Sequence, residues 1–240
     1  MVPMSNLPSE LLKVEEDRIQ AVYAERQVGL RYSFFDPGHL FMVQERERHV
    51  LGLLNRFGYA QLETKKILEI GCGTGYWCRE FIKWGARPEN IFGIDILSER
   101  IAEARRLSPA AVSLQWGNAS NLSFPDAMFD LVFQSTVFTS ILDARLKGQI
   151  ASEMQRVLKP EGAIVWYDFF INNPKNPNVR GVGRNEIRLL FPQSEIHFRR
   201  VTLAPPIVRT LARHSWLLCS CLSSLRFLNT HYLALIRKKG

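Results

Sequence analysis

Long apolar runs are absent from this sequence of 240 residues. No stretch reaches the roughly 18 uninterrupted apolar residues that a membrane-spanning helix needs, so we expect no such helix. The N-terminal segment MVPMSNLPSELLKVEEDRIQ also lacks the basic start and apolar centre of a secretory signal peptide. Both absences lead us to expect a cytoplasmic protein. The length is that of one large domain or of a domain with an appendage.

Cysteine is scarce as well, with four residues in the chain. Cys72 and Cys78 flank a glycine-rich stretch, while Cys219 and Cys221 form a C-x-C pair far from them. Paired C-x-x-C motifs are missing, so the spacing supports neither a zinc site nor a disulfide framework. We therefore expect reduced thiols, as in cytoplasmic proteins, and no metal site.

Acidic residues are scarce in the last quarter of the chain. Residues 174–240 contain 12 Lys and Arg against 2 Asp and Glu, whereas the first 173 residues contain 19 against 21. The whole formal net charge of +8 therefore resides in the last quarter. Such asymmetry indicates an anionic partner, which could be a phosphate group, a nucleic acid or an anionic membrane surface. A solvated basic face is the alternative interpretation.

What the sequence does contain is a regular alternation of strand and helix signals. Short apolar runs bounded by charge or glycine are typical of strands buried on both faces of a parallel sheet. The five predicted strands are KKILEIG (65–71), NIFGIDI (90–96), VSLQWGN (112–118), LVFQS (131–135) and AIVWYDFF (163–170). Predicted helices between them cover residues 76–85, 98–107 with Ser98 as N-cap, and 143–158. This order predicts an α/β fold with helices on both faces of the sheet.

Both ends of the chain extend this pattern. Before the first strand, residues 9–27 predict a helix that begins at Ser9, and residues 40–57 predict a second helix. Between these two helices lies RYSFFDPGHLF (31–41), an aromatic segment with a predicted Pro-Gly turn. After the fifth strand we predict a short helix over NEIRLLF (185–191), a sixth strand over 195–203 and a seventh over 231–239. An apolar and basic helical insert, residues 207–228, separates the last two strands.

The first strand runs into a glycine-rich turn, Gly71-x-Gly73-x-Gly75. Glycines at this place let the backbone approach a ligand closely at the carboxyl end of the sheet. Dinucleotide sites prefer G-x-G-x-x-G, but Tyr76 occupies the third glycine position here. Asp95 ends the second strand, where a carboxylate can accept hydrogen bonds from both hydroxyls of a ribose. Taken alone, Asp95 fits NAD as well as an adenosyl ligand.

Four ordered segments carry a resemblance to the class I S-adenosylmethionine-dependent methyltransferases. They are ILEIGCGTG (67–75), FGIDI (92–96), WGNASNLSFPDAMFDLVF (116–133) and RVLKPEGAIVWYD (156–168). The resemblance covers about residues 40–170 and implies a doubly wound, seven-stranded, mostly parallel sheet that binds S-adenosylmethionine. It also implies three parts: an N-terminal helical lid (1–57), a cofactor-binding core (58–170) and an acceptor-side part that completes the sheet (171–240).

The resemblance assigns roles to individual residues. Glu69 and the three glycines would line the methionine part of the cofactor, and Asp95 would hold the ribose. Asn118 occupies a position where the family usually has an Asp that accepts from the adenine amino group. Tyr32 and Arg46 would be lid contacts to the cofactor carboxylate, with core packing or a solvated helix face as the alternative. The full set of expected cofactor-binding residues is Tyr32, Arg46, Glu69, Gly71, Cys72, Gly73, Gly75, Asp95, Ile96, Asn118, Ala119 and Gln134.

Methyl transfer from a sulfonium needs alignment and exclusion of water more than it needs a base. If a base exists, Asp168 at the end of the fifth strand is the first candidate, with a turn-capping carboxylate as the alternative. His39 and His214 are further candidates, although a lone histidine is more often a packing residue.

The residues around the end of the fourth strand narrow the class of acceptor. Phe133-Gln134-Ser135-Thr136 does not match the Asn/Asp-Pro-Pro-aromatic signature of family members that methylate base amines, and the Pro-Cys nucleophile of cytosine enzymes is absent. The core therefore resembles the small-molecule branch rather than nucleic-acid methyltransferases. Expected acceptor-binding residues are Tyr167, Asn172, Arg180 and Arg184.

Asn and Arg side chains suit hydroxyl-rich or phosphate-bearing molecules, so we expect a small or glycan-like acceptor, methylated on oxygen. The acceptor could also be lipid-linked, because residues 206–239 could roof its pocket or lie peripherally on an anionic membrane. A core-facing helix is the plainer interpretation of that segment. Two alternative functions stay open at this point. One is an NAD-dependent oxidoreductase, and the other is a non-catalytic module that binds nucleic acid or membrane through its basic C-terminal quarter.

Overall fold

A computed structural model describes residues 9–24, 32–174 and 176–239 of the chain. Seven strands form one sheet in the order β3-β2-β1-β4-β5-β7-β6. All neighbouring strands run parallel except β7, which is antiparallel to both β5 and β6. The strands are β1 (Ile67–Ile70), β2 (Ile91–Asp95), β3 (Ser113–Trp116), β4 (Phe129–Ser135), β5 (Leu158–Phe169), β6 (Ser194–Leu203) and β7 (Asn229–Lys238). The predicted doubly wound α/β architecture is confirmed.

Helices lie before, between and after these strands. They are α1 (Ser9–Ala24), α2 (Pro37–Arg56), α3 (Tyr76–Lys83), α4 (Ser98–Leu107), α5 (Ala144–Val157), α6 (Arg184–Leu190), α7 (Pro205–Leu211) and α8 (Trp216–Ser223). The predicted end of the first helix, residues 25–27, lies outside the described residues. Among the described residues, no helix combines the length and the apolar character that crossing a membrane would take.

Three local predictions are wrong in detail. Pro37 and Gly38 do not form a turn but begin α2, because proline suits the first turn of a helix and the Asp36 carboxylate caps it, accepting from the His39 N–H at 2.7 Å. Ser98 is the first helical residue of α4 rather than its cap. Strand β5 begins at Leu158 instead of residue 163, because a register shift opposite Phe129 lets the strand continue through the intervening Pro-Glu-Gly.

The core lies on both faces of the sheet. Successive side chains of a strand point to opposite faces, so Leu68 and Ile70 pack into one apolar cluster while Ile67 packs into the other. From β1 the chain continues to β2 and β3 on one side of the sheet, whereas β4 and the later strands lie on the other side. The boundary between β1 and β4 is therefore the point where the strand order reverses. In open α/β sheets the crevice outside the carboxyl ends of the strands at this point is the usual ligand site.

The insert between β6 and β7 forms a small core of its own on the outer side of α2. Buried residues of the insert and of α2 pack together, and the edge of the Trp216 ring meets Phe41 at 5.7 Å between ring centroids. The five buried members are Phe41, Leu203, Val208, Ala212 and Cys219. The insert is closed at its base, where the Ala204 N–H donates to the Leu228 carbonyl at 3.0 Å. The predicted helical insert before the last strand is thus present as two helices, α7 and α8.

Candidate cofactor and acceptor cavity

A cavity of about 360 Å³ lies outside the carboxyl ends of β1, β2 and β4. Its floor is the sheet edge, and α1 and α2 form its walls. The volume and the mixed lining of apolar and polar groups are typical of sites for small organic ligands. Eight predicted cofactor residues line it: Arg46, Glu69, Gly71, Cys72, Asp95, Ile96, Asn118 and Ala119.

The glycine turn after β1 forms one side of the cavity. Gly71, Gly73 and Gly75 all have positive φ angles, of 64°, 52° and 76°, which side-chain-bearing residues rarely adopt. Gly71 also approaches Val137, since a Cβ built on it would lie 2.5 Å from the valine Cγ2. Gly73 and Gly75 do not line the cavity themselves. They shape the turn, and Gly75 ends it as the residue that precedes α3.

Asp95 connects the end of β2 to the glycine turn. Its Oδ2 accepts from the Gly73 N–H at 2.8 Å, and its Oδ1 accepts from the Leu97 N–H at 3.0 Å. Burial raises the pKa of Asp95, and these two backbone hydrogen bonds oppose the shift. Each carboxylate oxygen can accept a further hydrogen bond, so Asp95 keeps acceptor capacity toward the cavity that it lines.

Glu69 is a buried carboxyl group with 3% exposure in the middle of β1. Its Oε2 accepts from the backbone N–H of Cys78 at 3.0 Å and from the Cys78 thiol at 3.1 Å. Burial raises the pKa of Glu69 to about 8, so the group is largely protonated at neutral pH. A cationic ligand in the cavity would favour the ionised form.

Arg46 projects from α2 into a cage of aromatic rings. Its guanidinium carbon lies 4.9 Å from the ring centroid of Trp77, 5.5 Å from that of Tyr167 and 5.8 Å from that of Tyr76. Its Nε is buried and has no hydrogen-bond partner among the residues that the structure describes. Within residues 9–24, 32–174 and 176–239, no carboxylate forms an ion pair with Arg46. A guanidinium held in this way is poised to bind an anionic group of a ligand.

Asn118 is held by a residue that the sequence analysis did not identify. Its amide nitrogen donates to the Glu16 carboxylate of α1, and its Oδ1 accepts from the Ser120 N–H at 2.9 Å. Glu16 lines the cavity, and burial raises its pKa. The helix therefore brings a carboxylate to the position where Asn118 lacks one. No local sequence signal could reveal this contact, because the two residues are 102 positions apart.

Further polar contacts hold helix α1 against the residues that line the cavity. Arg18 donates to the Ser140 carbonyl at 2.7 Å, and the Tyr23 and Ser140 hydroxyls share a hydrogen bond of 2.8 Å. Glu15 accepts from the Leu142 N–H at 2.5 Å, and the Arg100 guanidinium lies 4.7 Å from the centroid of the Tyr23 ring. Other lining residues missed by the sequence analysis are Tyr23, Phe34, Thr74, Arg100, Thr136 and Val137.

Two predicted residues are enclosed in the protein and do not reach the cavity. Asp168 is fully buried; its Oδ1 accepts from the Thr139 hydroxyl at 2.6 Å, and burial raises its pKa to about 7. Asp168 does not line the cavity, and its role as the group that removes a proton from the acceptor stays a prediction. Gln134 is equally buried, and its Oε1 accepts from the Val137 N–H at 3.2 Å. It braces the loop after β4.

The predicted acceptor-binding residues also lie outside the cavity. Tyr167 is buried and shares a hydrogen bond of 2.8 Å with the Thr202 hydroxyl. The Asn172 side chain accepts from the Gly181 N–H at 2.8 Å. Arg180 pairs with Glu186 at 3.3 Å.

The guanidinium carbon of Arg184 lies 5.2 and 5.1 Å from the ring centroids of Phe198 and Tyr232. All four predicted acceptor residues thus contact other parts of the protein and do not line the cavity, and their role in acceptor binding stays a prediction.

Of His39, His214 and Tyr32, only His39 lines the cavity. His39 lines the cavity, and burial together with the nearby charge of Arg46 lowers its pKa, so its imidazole is neutral at neutral pH. Tyr32 does not line the cavity but meets the His39 ring edge-on at 5.9 Å between centroids. His214 is exposed in the insert between α7 and α8.

Each comparison with known proteins that follows finds a methyltransferase. Residues 67–162 match a family model described as "Methyltransferase domain". The chain is 36% identical over 114 residues to a fatty-acid O-methyltransferase of Mycolicibacterium smegmatis, covering 45% of this chain and 39% of that protein. It is 31% identical over 165 residues to a sterol 24-C-methyltransferase of Gibberella zeae, covering 67% of this chain and 41% of that protein. The chain thus spans less than half the length of each of these relatives.

A solved structure of a SAM-dependent methyltransferase from Methanosarcina mazei has the same fold. The two chains superpose with a TM-score of 0.55 at 22% identity, covering 77% of this chain and 98% of the other. At this level of identity the likeness bears on the fold alone.

Proposed function

We propose that the chain is a class I S-adenosylmethionine-dependent methyltransferase, which transfers a methyl group from that cofactor to a small lipophilic acceptor. The observation that carries the proposal is the cavity itself. It combines in one space a glycine turn, a strand-end carboxylate and an arginine that forms no ion pair with any described residue. The matched domain and its strand order speak against the alternative of an NAD-dependent oxidoreductase.

The residues present fit the cofactor. A side chain at Gly71 would collide with Val137, which lines the cavity. The buried Nε of Arg46 has no hydrogen-bond partner among the described residues and could donate to an anionic group of the cofactor. Asp95 would hold the ribose hydroxyls, and Arg46 would bind the carboxylate of the methionine part. Ile96 and Ala119 would pack against the adenine, while Glu16 would offer the carboxylate that Asn118 lacks. Residues 1–57 would act as the lid through α1.

When bound, the cofactor supplies an electrophilic methyl group on a sulfonium sulfur. The residues of the chain then have to align the acceptor with that methyl group and exclude water. Helix α1 would help to exclude water, because Glu16 and Arg18 hold it against Asn118 and Ser140. For an acceptor hydroxyl, the neutral imidazole of His39 would be the group that accepts its proton. Oxygen as the methylated atom stays a prediction.

The acceptor is inferred from the apolar part of the lining. Apolar side chains line the remaining wall, among them Ile19, Phe34, Val43, Val137 and Ile141. A surface of this kind favours hydrocarbon over a hydroxyl-rich sugar, because apolar burial is favourable and unpaired hydroxyls are costly. The names of the two relatives, for a fatty acid and for a sterol, support a lipophilic acceptor. The sequence alone indicated a glycan-like or lipid-linked acceptor, and the positions of Arg180 and Arg184 weigh against the glycan.

The first test is a calorimetric titration with S-adenosylmethionine, S-adenosylhomocysteine and NAD. We expect micromolar binding of the two adenosyl ligands, none of NAD, and loss of at least about tenfold in affinity in an Asp95→Ala variant. A matched control is Glu103→Ala, which removes a partly exposed carboxylate on α4 that pairs with Arg106 and does not line the cavity.

Transfer of a labelled methyl group to a panel of fatty acids, quinols and sugars then tests the acceptor class. Binding of NAD without binding of an adenosyl ligand would overturn the proposal, and transfer to sugars alone would overturn the lipophilic acceptor.

A further inference from the structure

The outer side of the insert between β6 and β7 exposes a set of apolar side chains. Leu217 is 76% exposed and Phe227 is 73% exposed, values unusual for such large apolar residues. Leu218, Cys221 and Leu225 are exposed beside them. In the sequence these five residues fall within 11 positions. We call them the apolar face of the insert.

The apolar face is not needed to hold the insert in place. The small core of the insert buries Val208, Ala212 and Cys219 against α2, and Trp216 packs on Phe41. The exposed leucines point away from that core, because residues 217, 218 and 221 share the side of α8 opposite the buried Cys219. The fold therefore presents these side chains on a rigid support, and contiguous exposed apolar groups of this kind mark interaction surfaces.

Two exposed arginines lie close to the apolar face in the sequence. They are Arg213, four positions before Leu217, and Arg226, between Leu225 and Phe227, and the sequence contains no Asp or Glu after Glu195. A carboxylate that lies beneath the insert, Glu45, is 1% exposed and accepts from the Leu203 N–H at 3.3 Å. The apolar face thus has cationic neighbours and no exposed anion from the insert itself.

We propose that the apolar face docks on the surface of an anionic lipid bilayer. Leucine and phenylalanine side chains would enter the boundary between headgroups and acyl chains, and Arg213 and Arg226 would contact anionic headgroups. A nucleic-acid site would need several aromatic platforms along a basic groove, whereas the apolar face offers Phe227 alone and is mainly aliphatic. A bilayer accepts the aliphatic groups and the cations together.

Docking in this way would place the cavity near the bilayer. Helix α7 packs on α2, where a Cβ built on Gly38 would lie 3.1 Å from the Arg209 Cα. Three residues of α2, His39, Val43 and Arg46, line the cavity. One helix therefore separates the docked insert from the cavity. Membrane docking itself does not depend on the proposed function, because it needs neither cofactor nor turnover.

The test is flotation of the purified chain with vesicles of phosphatidylcholine, with and without phosphatidylglycerol, in the absence of any cofactor. We expect partition to the anionic vesicles, lowered at least about tenfold in a Leu217→Ser/Phe227→Ser variant. An Arg213→Gln/Arg226→Gln variant should lose about fivefold per arginine on anionic vesicles and nothing on neutral ones. Leu189→Ser is the matched control, since Leu189 is 81% exposed on α6, away from the insert. Thermal unfolding shows that each variant is folded.

Three outcomes would overturn the proposal. The first is failure of the unaltered chain to float with anionic vesicles. The second is an equal loss of flotation in the Leu189→Ser control. The third is a change of sedimentation coefficient from dimer to monomer in the Leu217→Ser/Phe227→Ser variant without any lipid binding by the unaltered chain, which would make the apolar face a contact between copies. Methyl transfer in solution is unaffected by any of these outcomes, so the two proposals fail separately.

Discussion

Gly71 and Val137 approach each other so closely that a Cβ on Gly71 would lie 2.5 Å from the valine Cγ2. Gly71 also has a φ of 64°, which disfavours any side chain. The absence of a side chain therefore serves two purposes at once: it permits the turn, and it leaves the loop after β4 close to β1. Both strands contribute to the cavity, so this contact sets the width of its floor.

A Gly71→Ala variant should be less stable by about 2–4 kcal/mol, because it combines an unfavourable φ with overpacking against Val137. Adding Val137→Ala should relieve the overpacking and leave the backbone strain, so the double variant should recover part of the loss. Urea unfolding measures both. Gly52→Ala is the control, since Gly52 lies inside α2 with nothing within 4 Å of the added Cβ and should gain about 0.5–1 kcal/mol. Equal effects at both glycines would contradict this explanation.

Ligand binding should release a proton from Glu69 near neutral pH. Burial raises the pKa of Glu69 to about 8, so the free protein holds the proton, and a cationic sulfonium or ammonium nearby would lower that pKa. Calorimetry of S-adenosylmethionine binding at about pH 7 in buffers of different ionisation enthalpy should give observed enthalpies that depend on the buffer. The Glu69→Gln variant should show no such dependence. Proton uptake by the unaltered chain would mean that the cation binds elsewhere.

Arg46 should contribute to cofactor binding only through the carboxylate of the cofactor. An Arg46→Lys variant should bind S-adenosylhomocysteine at least about tenfold more weakly, because a lysine cannot replace a planar, bidentate donor held between aromatic rings. Binding of 5′-methylthioadenosine, which has no carboxylate, should be unchanged. Arg56→Lys on the same helix is the control, since Arg56 is exposed beside the Phe57 ring. Equal weakening of both ligands would show that Arg46 has a structural role instead.

The pH dependence of stability should identify Asp168 as a buried structural carboxyl group. Its pKa of about 7 lies above the ordinary value of 3.8, so the stability it contributes is present at low pH and is lost as pH rises through 7. The free energy of unfolding of an Asp168→Asn variant, relative to the unaltered chain, should therefore increase between about pH 5 and pH 8. Chemical denaturation at both pH values measures it. Methyl transfer by the variant should keep the pH profile of the unaltered chain; loss of a limb of that profile would restore Asp168 as a base.

The sheet and its glycine turn could be predicted from the sequence because both depend on local pattern. Short apolar runs define β1, β2 and β4, and positive φ angles at the turn demand the glycines that the sequence shows. Asp95 is identified by its place at the end of β2. Each of these features depends on neighbours only a few residues away. The parallel sheet then fixes the positions of these features relative to one another.

The contacts of side chains across the fold could not be predicted. Glu16 meets Asn118, and Arg18 meets Ser140, over separations of 102 and 122 residues that no pattern encodes. The sequence suggested that Arg180 is available for an anionic acceptor, but Arg180 forms an ion pair with Glu186 on the next helix. Asp168 looked accessible at a strand end, but the Thr139 loop covers it. In each case a partner distant or hidden in the sequence decides where a charged side chain points.

The hydrogen bond from Ala204 to the Leu228 carbonyl makes the insert an exchangeable module. Its two ends meet at 3.0 Å, and β6 and β7 pair in register before and after it without help from α7 or α8. The insert also covers Phe41 and Leu203, so a replacement segment has to keep these two residues buried for the sheet to stay the same. Alternatively, a graft that replaces residues 205–227 by a shorter polar segment and makes Phe41 and Leu203 polar would separate the proposed bilayer docking from the proposed methyl transfer. Variation confined to this module would change the proposed docking surface and leave the residues that line the cavity unchanged.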